Sequence, residues 1–142
     1  MTWILLILQL ANPITDSRLY HRETVESMRT SRHTHVEVTG RVTLTKRERD
    51  GDWHVRLTDG KSFIVAEIIP DIIIPECDPA WKGVGNGTNC SLLHRTLLEP
   101  PRVGECVTVR GIRRYDNEAG HNWWEVHPVE QIEFVACPKD LK

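Results

Sequence analysis

Residues 35–45 alternate strictly between apolar and polar side chains, and this pattern constrains the fold more than any other in the chain. The apolar set comprises Val36, Val38, Val42 and Leu44. A period of two predicts a β-strand with one face in the core and the other toward solvent. Gly40 falls on the apolar face, where a strongly bent strand has no room for a side chain. The segment therefore predicts a long, bent strand.

Four further segments carry strand patterns, at residues 53–57, 63–69, 106–112 and 123–134. The 63–69 segment is the most continuously apolar, which predicts burial on both of its faces. The last segment predicts either a strand pair or one strand bent at Pro128. Between the third and fourth strands, residues 91–98 predict a short helix with Ser91 as its N-cap.

The resulting order predicts an all-β fold with three strands, a loop with a short helix, and two more strands. Long, bent first and fourth strands match the OB-fold, a five-stranded, partly open Greek-key barrel. The chain then divides into an apolar N-terminal segment with an arm at residues 1–33, the barrel at 34–136 and a tail at 137–142.

Two motifs support a family resemblance over residues 34–136. One is Asp50-Gly51-Asp52-Trp53-His54, or DGDxH, and the other runs from Gly120 to Pro128 as GHxWWExHP. Shorter stretches at residues 38–42 and 66–70 accompany them. In these residues the chain resembles a family of small prokaryotic OB-fold-like proteins. The resemblance implies the barrel and implies no particular activity.

The net charge of the 142-residue chain is −2, with 18 Lys and Arg against 20 Asp and Glu. This balance excludes a histone-like protein, whose nucleic-acid binding follows from its overall charge. Hydrophobic residues make up 39% and charged residues 27% of the chain, which is typical of a globular domain.

The most apolar stretch is residues 3–11, which has the length of the apolar region of a secretory signal peptide. No Lys or Arg precedes it, and Gln9 stands where a small residue is expected before the cleavage point. We predict export, and the segment either is cleaved or stays in place and holds the exported protein at the membrane. The alternative is an apolar strand or helix docked on a cytoplasmic domain. No apolar run reaches about 18 residues, so the pattern predicts no bilayer-spanning helix.

The four cysteines are Cys77, Cys90, Cys106 and Cys137, and none forms a CxxC pair. Their spacing argues against a zinc site built from CxxC motifs and allows three disulfide pairings. Cys77 and Cys90 bracket a loop rich in Gly and Asn, so this spacing favours a disulfide between them. Cys106 falls in a strand pattern, and a buried thiol is the alternative to a disulfide at this position.

Potential metal ligands concentrate near the two loops at residues 45–52 and 115–122. Asp52 and His54 share one face of a strand, and Glu125 and His127 do so on another. With His121 or Asp116 from the second loop, they predict a mixed nitrogen and oxygen site for zinc, manganese or iron. The alternative is a structural cluster in which Asp50 and Asp52 build the turn and the histidines are satisfied by neighbours.

A second group of candidates is basic and aromatic, and it comprises Lys46, Arg47, Arg49, Arg113, Arg114 and Trp123. Cations that neutralise phosphates and rings that stack on bases are the means by which proteins bind single-stranded nucleic acid. The sequence therefore predicts an OB-fold binding module for single-stranded nucleic acid or another anionic polymer, with oligosaccharide as a further ligand class. The alternative is a metal-dependent phosphodiesterase or nuclease at the same site. The sequence leaves open whether the protein is an enzyme.

Overall fold

The structure is a computed structural model, and it describes residues 19–69, 71–75 and 93–141. The strands are β1 (His21–Glu23), β2 (His35–Arg47), β3 (Trp53–Thr58), β4 (Phe63–Ile68), β5 (Asp71–Pro75), β6 (Leu93–Leu97), β7 (Cys106–Asp116) and β8 (Trp123–Val135). Two short 3-10 turns span Ser27–Arg29 and Lys139–Leu141. The predicted N-terminal apolar segment lies outside the described residues.

Five strands close into a barrel in the order β2-β3-β4-β8-β7, with β7 pairing back to β2. All neighbours in it are antiparallel except β4 and β8, which run parallel. The prediction of an all-β, five-stranded barrel is confirmed. The last strand pattern forms the single strand β8. Outside the barrel, β1 pairs in parallel with the start of β2, and β5 pairs with β6 in a separate sheet.

The predicted helix at residues 91–98 is wrong, because Leu93–Leu97 form strand β6. This strand pairs antiparallel with Asp71–Pro75 over five positions. A helix of two turns is marginal by itself in water, so a partner strand decides the conformation of such a segment.

The core lies inside the barrel and is filled by the alternating apolar side chains of all five strands. Val36, Val38 and Val42 are buried, as the period of two predicts. Leu44, the fourth member of the apolar set, is exposed, because the register of β2 shifts between Val42 and Leu44. A Cβ on Gly40 would lie 3.0 Å from Leu57 Cβ, so glycine lets β3 approach at the bend. Of the third-strand segment, Ile64, Val65, Ala66 and Ile68 are buried, whereas Phe63 at its start is exposed.

A disulfide joins Cys106 to Cys137, with 5.1 Å between their Cα atoms. Of the two possibilities for Cys106, the structure therefore shows the disulfide and not the free buried thiol. Cys106 lies opposite Val135 in the β7–β8 ladder, so Cys137, two residues further along the chain, lies close to Cys106. The favoured pair Cys77 and Cys90 lies outside the described residues. Within the described ranges, no helix has the length and apolarity needed to cross a membrane.

Candidate functional site

The outer face of β3, β4 and β8 carries a group of histidines and carboxylates. Val55, Ala66 and Val126 fill the core, so their sequence neighbours on these strands point away from it. These neighbours are His54, Glu67, Glu125 and His127. His54 and Glu125 are nevertheless buried, at 8% and 3% exposure. The outer face is thus a partly shielded polar surface.

Three imidazole–carboxylate pairs lie on this side of the barrel. His54 Nδ1 lies 3.0 Å from Glu67 Oε1, and His127 Nδ1 lies 3.1 Å from Glu125 Oε1. The third pair is in the β7–β8 loop, where His121 Nδ1 lies 2.6 Å from Asp116 Oδ2. In all three pairs a carboxylate holds Nδ1, which orients the ring and leaves Nε2 for another partner.

Trp123 connects two of these pairs. The His121 ring stacks on its indole at 4.3 Å between centroids, and the His54 ring meets it edge-on at 5.5 Å. Trp123 of β8 therefore lies between His121 of the β7–β8 loop and His54 of β3.

Of the predicted metal ligands, Glu125 pairs with His127 and His121 pairs with Asp116, whereas His54 pairs with Glu67 instead of the expected Asp52. Within the described part of the chain, two groups of three metal-capable side chains have all ligand atoms within 4.8 Å. One is His21, Glu23 and His33, and the other is Asp116, Glu118 and His121. Of the predicted ligands, His121 belongs to the second group, whereas Asp52, His54, Glu125 and His127 belong to neither. A metal on these four residues stays a prediction.

Electrostatics links the separate pairs across the face. The hydrogen bond with Glu125 raises the pKa of His127 above its ordinary value against the opposing effect of burial, and the charge of Glu67 adds to the increase. Burial raises the pKa of Asp52, and the neighbouring charges of Asp50 and Glu67 raise it further. The face therefore gathers negative charge, which His127 offsets when it is protonated.

The predicted basic residues divide between two places. Lys46, Arg47 and Arg49 are exposed and line a hollow of about 570 Å³ formed by residues 46–50. Arg113 packs on the indole of Trp124, with 3.6 Å from its Cζ to the ring centroid, and its Nε donates to Met28 O at 2.7 Å. Arg114 Nε lies 3.9 Å from Glu125 Oε1.

An aromatic pocket of about 270 Å³ opens at the start of β8. It is lined by Arg29, Phe63, Ile64, Tyr115, Asn122, Trp123 and Trp124. Phe63 and Tyr115 are 39% and 44% exposed, which is high for aromatic side chains. The guanidinium of Arg56 lies over Phe63, with 4.4 Å from Cζ to the ring centroid. Among these residues, the sequence predicted Trp123 as a binding residue.

Several residues of the site were missed by sequence reasoning. Phe63 and Glu67 share a face of β4, and an acidic residue in so apolar a strand is a signal that could have identified the outer face. Tyr115 and Arg29 give no such signal, because they reach the pocket through long-range packing.

The sequence matches no protein-family model, and no curated protein is significantly similar to it.

Proposed function

We propose that the protein is an OB-fold binding module that holds single-stranded nucleic acid across the outer face of its barrel, with one base in the aromatic pocket. The observation that carries the proposal is the pocket itself, which combines exposed ring faces with adjacent guanidinium groups. The Greek-key order, in which the first barrel strand pairs with both the second and the fourth, supports the OB-fold assignment.

The size of the pocket favours one flat ring rather than a whole small molecule. Drug-sized ligands occupy pockets of roughly 300–1,000 Å³, and the aromatic pocket has about 270 Å³. Base stacking on an aromatic side chain contributes about 1–3 kcal/mol per base and is tolerant of sequence. Tyr115 and Phe63 offer exposed faces for this contact.

Two buried donors, one on Trp123 in the pocket lining and one on Arg56 beside Phe63, favour a ligand with hydrogen-bond acceptors. Arg56 Nε and Trp123 Nε1 are buried and have no hydrogen-bond partner among the described residues. A buried donor without a partner costs about 1–3 kcal/mol. Acceptors on a base or phosphate would offset this cost if the side chains turn toward the pocket.

Phosphate contacts are assigned to the exposed cations of the β2–β3 loop. Lys46 is weakly paired, with 3.7 Å between its Nζ and Glu48 Oε1, and Arg49 is exposed. Phosphate binding releases counterions, so affinity falls as salt concentration rises. Arg113 and Arg114 are engaged with Trp124 and Glu125, and we assign them a supporting role.

The test is fluorescence anisotropy of a labelled single-stranded oligonucleotide at two salt concentrations. Tyr115→Ala removes a ring of the pocket, and its matched control is Phe134→Ala, which removes an aromatic side chain 54% exposed at the far end of β8. We expect about tenfold weaker binding in Tyr115→Ala, corresponding to the lower half of the stacking range, and no change in the control. Absence of binding at low salt, or equal effects in both variants, contradicts the proposal.

A separate pair of variants tests the exposed arginines of the β2–β3 loop. The double variant Arg47→Ala, Arg49→Ala should bind more weakly and with a smaller salt slope, because two phosphate contacts are lost. Arg102→Ala, another exposed arginine, is the control. An unchanged salt slope in the double variant removes these residues from the interface.

We also propose that the protein is exported. The Cys106–Cys137 disulfide favours an oxidising compartment, since disulfides are rare in most cytosolic proteins. Fractionation of the producing cells with thiol labelling tests this: an oxidised protein outside the cytoplasm is expected, and a reduced cytoplasmic protein contradicts it.

A second candidate function is metal-dependent phosphodiester hydrolysis, favoured by the three imidazole–carboxylate pairs. A histidine whose Nδ1 is held by a carboxylate is a typical metal ligand or general base. Metal analysis of protein purified without chelator or affinity tag distinguishes the candidates. Stoichiometric metal that is lost in both His54→Ala and His127→Ala supports the hydrolase, whereas metal retained in both contradicts it.

A further inference from the structure

We propose that His21, Glu23 and His33 bind one divalent cation of the zinc class at a site separate from the outer-face histidines. Each residue offers one ligand atom, and these atoms lie within 4.8 Å of one another. His21 and Glu23 are two positions apart on β1, so their side chains share a face. His33 comes from the segment that leads into β2.

The two imidazoles are already held together. Their rings stack with 3.5 Å between centroids and 18° between planes. Two nitrogens on one zinc ion lie at most about 4.2 Å apart, because each zinc–nitrogen distance is about 2.0–2.1 Å. Both histidines are exposed, so rotation of the rings can turn their nitrogens toward one ion.

The carboxylate is oriented by two hydroxyl groups. Ser27 Oγ donates to Glu23 Oε2, and Ser31 Oγ donates to Glu23 Oε1. Hydrogen bonds of this kind orient a metal ligand and tune the affinity of the site.

The ligand set indicates the class of cation. Two imidazole nitrogens and one carboxylate oxygen suit zinc and its transition-metal neighbours, whereas calcium and magnesium prefer oxygen ligands. Three protein ligands leave a coordination position for water, as the exposure of the site allows.

A bound ion would also fix one wall of the aromatic pocket. The segment between Glu23 and His33 carries Arg29, which lines that pocket. In the same segment Met28 O accepts the hydrogen bond from Arg113 Nε. An ion held by Glu23 and His33 would tie both ends of this segment together. The site is argued from its own geometry and does not rest on nucleic-acid binding.

The test is isothermal titration of the full chain with zinc chloride, repeated with cobalt chloride while the visible absorption of bound Co²⁺ is recorded. Wild-type protein is compared with His33→Ala and Glu23→Gln. The matched control is His121→Ala, which removes a histidine from the other three-residue group. Far-UV circular dichroism establishes that each variant is folded, and the exposure of His33 makes His33→Ala the least disruptive change.

We expect wild-type protein to bind one ion that both His33→Ala and Glu23→Gln lose and His121→Ala keeps. Ser31→Ala should weaken the same site about 10–100-fold, as removal of a hydrogen bond to a metal ligand does. No binding by the wild type overturns the proposal. So does binding that His33→Ala and Glu23→Gln retain, or that His121→Ala alone abolishes.

Discussion

Tyr20 donates a hydrogen bond from its hydroxyl to Glu130 Oε2, joining the segment before β1 to β8 across 110 positions of the chain. Glu130 is buried, at 4% exposure, and its Oε1 has no hydrogen-bond partner among the described residues. Burial raises the pKa of Glu130, although the bond from Tyr20 opposes this effect. Burial raises the pKa of Tyr20 as well, and the hydrogen bond to Glu130 raises it further.

Tyr20→Phe should lower the free energy of unfolding by about 1–3 kcal/mol, because it leaves a buried carboxyl without its donor. The ring and its packing are kept, so the loss reports the hydroxyl alone. Chemical denaturation measures it, and Tyr115→Phe, which alters an exposed tyrosine, is the control. Equal stability of Tyr20→Phe and the wild type would contradict the importance of this bond.

The raised pKa of Glu130 predicts a dependence of stability on pH. The folded state binds the proton more tightly than the unfolded chain, in which the pKa of this carboxyl is near its ordinary value of 4.5. The corresponding stabilisation is complete below that value and is lost as pH rises through the higher pKa of the folded state. Glu130→Gln should remove this loss. Unfolding free energies of both proteins across this range provide the comparison, and parallel curves would contradict the prediction.

The sequence predicted the elements that follow from the periodicity of apolar residues. It missed those that depend on which strands pair in the folded protein. The alternation of apolar and polar residues identified β2. The same pattern placed Gly40 on the apolar face, where a Cβ would contact Leu57. The helix expected at residues 91–98 failed because β6 is defined by its partner β5. The partner of Cys106 is likewise a consequence of the β7–β8 register, which no local spacing reveals.

The candidate site divides in the same way. The Glu125 and His127 pair lies two positions apart on one strand, so parity alone placed the two side chains together. The partner of His54 is Glu67, which faces it across the β3–β4 ladder. Finding that contact requires the hairpin register as well as the pattern. The aromatic pocket requires the packing of three strands and the Ser27–Arg29 turn.

Gly111→Ala should be among the most destabilising single substitutions in the barrel. A Cβ at this position would lie 2.2 Å from Pro128 O and 2.8 Å from Val126 Cγ1, so the β7 and β8 backbones would have to separate. We expect a loss of about 3 kcal/mol, at the upper end of the usual cost of overpacking.

The control for this prediction is Gly60→Ala in the β3–β4 hairpin. Gly60 has φ of +94°, and a Cβ there meets nothing within 4 Å. Its cost is therefore conformational strain of about 1 kcal/mol. Denaturation midpoints of the two variants measure the difference, and a larger loss in Gly60→Ala would contradict the close approach at Gly111.

Loss of the Cys106–Cys137 disulfide should destabilise the protein by about 3–4 kcal/mol in the chain-entropy model, given a sequence separation of 31 residues. The double variant Cys106→Ser, Cys137→Ser isolates this disulfide from the other two cysteines. Thermal unfolding of wild type and double variant, each with and without reductant, measures the effect. If reductant lowers the stability of the double variant as much as that of the wild type, the stabilisation belongs to other cysteines.

Binding of an anionic ligand to the outer face should weaken as pH rises. The hydrogen bond with Glu125 raises the pKa of His127 despite burial, so the imidazolium persists above the ordinary value of 6.5. While protonated, His127 offsets the charge of the buried Glu125, and deprotonation removes this positive charge from the face that binds the ligand. Oligonucleotide affinity measured at about pH 6 and about pH 8, on either side of the ordinary histidine pKa, should therefore fall. In His127→Gln, which cannot take up a proton, the fall in affinity should be smaller.

An identical pH dependence in His127→Gln and the wild type would assign the effect to another group. His121 is the next residue to test, because its hydrogen bond with Asp116 raises its pKa.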